Sequence, residues 1–215
     1  MALTTLPTAA LANDAVDNTK LDLADNYAFT GTVTGAGNLT KLVETTADND
    51  ATVSFDGFFS STYDNYIIYI SEVTAETGGQ HLYTRFRRSN ADITTSNYVH
   101  VTDGVFRNVS ATTTTGNSYN AGQGNFGRIA GSQNSSDTAS ASGTWEIQIP
   151  RPLNTTGYKR ITFQNTSIAD GEILYQTALG TVWLRDAVTA LSGITFYFSS
   201  GNIKTGIFQL YGVKS

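Results

Sequence analysis

Residues 194–213, Ile-Thr-Phe-Tyr-Phe-Ser-Ser-Gly-Asn-Ile-Lys-Thr-Gly-Ile-Phe-Gln-Leu-Tyr-Gly-Val, alternate apolar and polar side chains on either side of Ser200-Gly-Asn202. In an extended chain successive side chains point to opposite faces. Ile194, Phe196 and Phe198 therefore share one face, and Phe208 and Leu210 alternate with Gln209 and Tyr211. A period of two is the signature of a half-buried strand. Gly-Asn between two such runs predicts a hairpin.

The pattern recurs upstream. Strands are expected at Leu39–Thr45, Ala51–Phe55, Tyr66–Val73, His81–Arg88, Tyr98–Thr102, Trp145–Ile149, Tyr158–Asn165 and Leu179–Leu184. Asp48-Asn-Asp50, Thr77-Gly-Gly79 and Asn154-Thr-Thr-Gly157 supply turn chemistry between them. No long amphipathic helix is legible. Many short strands in one run predict an all-β fold: a jelly-roll-like antiparallel β-sandwich at 39–215 with an extended N-terminal arm at 1–38. From Asp103 to Gly143 the chain turns to Gly, Ser, Thr and Asn. Short strands such as Gly104–Val109 and Phe126–Ile129, joined by exposed loops, are expected there.

At 215 residues the chain is long enough to bury a two-sheet core. Only 14% of it is charged, and its net charge is −5, the wrong sign for gripping nucleic acid or an anionic membrane. No run approaches the ~20 apolar residues of a membrane span, and the start lacks the basic segment of a signal peptide. Cysteine is absent, which excludes disulfides and thiolate metal sites and points to assembly in a reducing cytoplasm.

Catalytic patterns are equally sparse. His81 and His100 both fall in strands, and no Gly-x-Ser-x-Gly elbow precedes a helix. Asp48-Asn-Asp50 reads as a turn, not a twelve-residue calcium loop. Glu72, Glu76, Glu146 and Glu172 show no spacing that pairs two carboxylates. No catalytic, cofactor-binding or metal-ligating residue is assigned, and a non-enzymatic protein without cofactor is expected.

Binding is the remaining chemistry. Arg85 and Arg87 share one strand face opposite Phe86. Such a pair either makes salt bridges within a solvated face or uses its fork geometry on a carboxylate. Tyr119 and Phe126, in the polar stretch, are candidate rings for contacting a ligand. The arm carries Leu11, Val16, Leu21, Leu23, Tyr27 and Phe29 among small polar residues. A lone chain could not bury them well, so a neighbouring subunit or a docking partner is expected to pack against them, the alternative being that the arm wraps its own domain. At about 25 cal/mol per Å2 that burial contributes several kcal/mol per chain, offset by the entropy of ordering the arm.

Three further segments go together. They are Val53-Ser-Phe-Asp-Gly-Phe-Phe-Ser-Ser-Thr-Tyr-Asp-Asn-Tyr-Ile-Ile-Tyr-Ile-Ser71, Leu82-Tyr-Thr-Arg-Phe-Arg-Arg-Ser-Asn-Ala-Asp92 with Asn97-Tyr98, and the terminal Phe-x-Phe-Ser-Ser-Gly-Asn-Ile-x-x-Gly-x-Phe-x-Leu-Tyr-Gly. This set resembles bacteriophage virion structural proteins, particularly those of marine and cyanobacterial phages. Ala12-Asn-Asp-Ala-Val-Asp-Asn-Thr-Lys-Leu21 is similar to the segments leading tail-fibre shafts into their head domains. The resemblance implies a homotrimeric, fibre-like appendage on the outer surface of the virion. Its partners would be other virion proteins of tail or capsid and a host-surface glycan. A capsid decoration, cement or head-fibre protein is the alternative within that class. A carbohydrate-binding module is the alternative outside it.

Overall fold

The computed structural model describes residues 38–108, 114–130, 142–169, 174–186 and 188–214. Leu11, Val16, Leu21, Leu23, Tyr27 and Phe29 lie outside them. The described residues form strands and connections with no helix, and every ladder between them is antiparallel. In chain order these are β1 (Leu39–Asp50), β2 (Val53–Asp56), β3 (Asn65–Ala75), β4 (Leu82–Arg88), β5 (Ala91–Asp92), β6 (Tyr98–Asn108) and β7 (Thr114–Gly124). They continue as β8 (Gly127–Arg128), β9 (Gly143–Pro150), β10 (Lys159–Ala169), β11 (Leu174–Leu184), β12 (Gly193–Phe198) and β13 (Ile203–Val213).

Two sheets result. The larger runs β1-β13-β3-β9-β10-β11-β6-β7, and the smaller runs β2-β12-β4-β5, with β8 also paired to β4. Within them, β1-β13-β3-β9 lies in one sheet and β2-β12-β4-β8 in the other. This interleaving is the strand order of a jelly roll. The four strands left over in the larger sheet are two hairpins, β6–β7 and β10–β11, inserted into jelly-roll connections. The β6 end at Asn108 lies opposite Leu174 at the start of β11, so both hairpin tips sit at one end of the sheet.

Alternation decides which side chains enter the core. Tyr66, Ile68 and Ile70 of β3, Trp145, Ile147 and Ile149 of β9, and Phe208 and Leu210 of β13 are buried from the larger sheet. Val53, Phe55, Leu82, Phe86, Ile194, Phe196 and Phe198 meet them from the smaller one. Phe196 lies 5.7 Å from Phe208, ring to ring, and Phe86 stacks on Tyr98 at 6.0 Å. Buried polar groups also pin the sheets. The Tyr98 hydroxyl accepts from the Phe86 amide and donates to the Ile93 carbonyl, while the Trp145 indole donates to the Ile129 carbonyl. Such groups cost free energy when left unpaired inside a core, so these bonds fix the sheets' mutual placement.

Two expectations need correction. Residues 194–213 do not form a hairpin. β12 pairs with β2 and β4, and β13 pairs with β1 and β3, so Ser200-Gly201-Asn202 carries the chain from one sheet to the other. Gly201 takes a left-handed φ of 71°, and the Glu76 carboxylate accepts from the Asn202 amide, locking that crossing. Within Asp103–Gly143 the short strand expected at Phe126–Ile129 is present as β8, but the one expected at Gly104–Val109 is not a separate short strand. β6 continues unbroken to Asn108, and β7 pairs with it from Arg107↔Thr114 back to Tyr98↔Gly124. A strand at a sheet's edge can be held by its ladder alone, without an apolar pattern of its own.

Candidate binding face on the smaller sheet

The outward side chains of β4 are Tyr83, Arg85 and Arg87, and those of β12 are Thr195 and Tyr197. The register sets Tyr83 opposite Tyr197 and Arg85 opposite Thr195. Arg85 and Arg87 therefore share the face that alternation assigned to them, but they do different work.

Arg87 is consumed by the fold. Its Nε donates to Asp56 at 3.0 Å, and its Nη1 donates to Asp92 at 2.6 Å and to Thr195 at 3.0 Å. Its Nη2 donates to the Asn90 carbonyl at 2.6 Å. That carbonyl belongs to the β4–β5 turn, where Ser89 and Asn90 take positive φ angles of 50° and 63°. Thr195 Oγ1 also lies 2.8 Å from Ser54 Oγ. Burial alone would raise the Asp56 pKa. Hydrogen bonds from Ser192 and Arg87, with the charge of Arg87, outweigh it and hold the carboxyl below its ordinary value.

Arg85 is placed differently. Its Nε donates to the Asn125 carbonyl at 2.9 Å, and its guanidinium lies over the Tyr197 ring, 4.7 Å from the centroid. No carboxylate among the described residues pairs with it. Around it the rings form a continuous surface. Phe126 stacks on Tyr83 at 4.0 Å and 12°, Tyr197 meets Tyr83 edge-on at 5.8 Å, and His81 stacks with Tyr83 at 6.5 Å. Burial pushes the Tyr197 phenol up to about 12, so it stays a neutral hydrogen-bonding group across the physiological range.

Phe126 thus joins the two arginines on one patch, at the junction of β7 with β8. Tyr119 does not join it through its backbone position: it lies in β7 opposite Thr102, on the edge of the larger sheet. Tyr197 was not among the candidate residues. Its alternation with Phe196 and Phe198 marks it as outward, but only the pairing of β12 with β4 brings it under Arg85.

Among the described residues the outer face of the larger sheet carries shallow depressions, including ones of about 370, 400 and 300 Å3. Their polar groups are largely tied to one another. Glu146 accepts from both Gln148 and Gln164, and the Thr144 and Thr166 hydroxyls pair at 2.8 Å. Arg107 beside the first of these depressions, like Arg85, pairs with no carboxylate among the described residues; the Arg85 patch differs in that its guanidinium is set over a ring with Nε held by the Asn125 carbonyl. No protein-family model matches the chain, and no curated protein matches it significantly.

Proposed function

We propose that this chain is a non-enzymatic virion structural protein of a bacteriophage. In this reading residues 1–38 tether it and close it into a homotrimer. The jelly roll is displayed outward from the virion to contact the host surface. One observation carries the contact role: Arg85, Tyr83 and Tyr197 of the patch are fixed on adjacent strands of the smaller sheet, and Phe126 of the β7–β8 junction stacks on them. Side chains fixed on strands lose little freedom on binding, which favours recognition of an extended surface. Rings and a guanidinium are also the groups that carry most binding energy at interfaces.

Immunogold electron microscopy of virions, with antibody against the head, tests the reading. Label at the tail tip supports an attachment appendage. Label spread over the capsid assigns the chain to shell decoration instead, and virions without label remove it from the particle altogether.

A further inference from the structure

We propose that Arg85 is the anchor of a subsite for a carboxylated sugar residue on the outer face of the smaller sheet. The inference rests on the attachment reading above and gives its ligand a chemical class.

Consider what the guanidinium has and lacks. Of its N–H donors, Nε is taken by the Asn125 carbonyl. The two Nη groups make no ion pair among the described residues. The carboxylates of Asp56 and Asp92 on this face are bound to Arg87. The Asn125 bond and the Tyr197 ring hold the guanidinium plane in place, so the fork is oriented before any ligand arrives. Paired Nη donors match the two oxygens of a carboxylate, and such a bond is stronger than one between neutral groups.

The surroundings select what carries the carboxylate. Tyr83, Phe126 and Tyr197 form an aromatic floor at 4.0 to 5.8 Å ring spacing beside the charge. Aromatic faces accept the apolar C–H face of a pyranose. A small inorganic anion would use the fork and leave the floor empty. A neutral sugar would use the floor and leave the charge unanswered. A uronic or sialic acid residue uses both.

The full-length chain is titrated with trigalacturonate and with sialyllactose, followed by ligand-observed NMR. Trigalactose and lactose serve as their counterparts without the carboxylate. The expected result is binding of at least one acidic ligand, at least tenfold tighter than its neutral counterpart. Arg85→Gln should abolish that preference, and Arg85→Lys should restore only part of it, because the charge returns without the fork. Far-UV circular dichroism of both variants should match the parent. Equal binding of acidic and neutral sugars, or an acid preference that survives Arg85→Gln, overturns the subsite while leaving the attachment reading to the virion labelling. Binding of neither acid also overturns it. The two acids separate a uronate polymer from a sialylated glycan as the source of the carboxylate.

Discussion

Arg85 and Arg87 stand two residues apart on one strand face, and their substitution should give opposite results. Arg87→Gln strands Asp56 and Asp92 in a half-buried position and releases the Asn90 carbonyl of the β4–β5 turn. A loss of about 2–3 kcal/mol is expected in urea unfolding, given the worth of charged hydrogen bonds. Arg85→Gln gives up one main-chain bond and one ring contact and should stay within about 1 kcal/mol of the parent. The alternating pattern showed that both arginines share a face. What each one meets depends on residues 31 and 40 positions away, so spacing alone could not separate them. His100 makes a second prediction at this scale. Burial, reinforced by the charge of Arg128, depresses its pKa from 6.5 to about 4. The unfolded chain then binds a proton between those values that the folded chain does not. Stability should be full above pH 6.5 and fall as pH drops toward 4, by up to about 3 kcal/mol. Urea midpoints at pH 7 and pH 4.5 check this, and His100→Gln should flatten the difference.

The connection between β12 and β13 shows where local pattern stops informing. Both strands were legible to within a residue at their ends, because apolar core side chains recur at every second position in each. Their pairing was not, since Ser-Gly-Asn suits a hairpin and a passage between sheets alike. The error had a consequence for the candidate site. With β12 beside β13, Tyr197 would lie far from Tyr83; with β12 beside β4, it lies opposite. β7 escaped notice for another reason. Its sequence, Thr-Thr-Gly-Asn-Ser-Tyr-Asn-Ala-Gly-Gln-Gly, offers no apolar alternation, and its ladder with β6 is made by the main chain. The central position of β12 can be tested directly. Gly193 pairs with Asp56 of β2 on one side and Arg87 of β4 on the other. A Cβ there would run into the Phe55 carbonyl. Gly193→Ala should therefore cost about 1–3 kcal/mol, as overpacking does, whereas Gly157→Ala, with open space around its Cβ, should be near neutral. Equal melting temperatures for the two variants would contradict this placement of β12.

For the molecule as a whole, the proposed division of labour separates an arm that assembles from a head that touches. Removing residues 1–29 should leave the circular dichroism and thermal midpoint of the sandwich unchanged and convert a trimer into a monomer by light scattering. A shortened chain that stays trimeric would move the oligomer interface onto the sandwich itself. The sandwich is built to tolerate alteration at one place in particular. The hairpins β6–β7 and β10–β11 each leave the jelly roll and return to it, and they lie side by side with their tips at one end. The roll's own strand order does not depend on how far either hairpin reaches. Residues could be added or removed at those tips in pairs, one on each limb, with the core register untouched. A lineage under pressure to present a new outline to its surroundings would have there an adjustable margin, and a protein engineer would have two adjacent ports for grafted peptides.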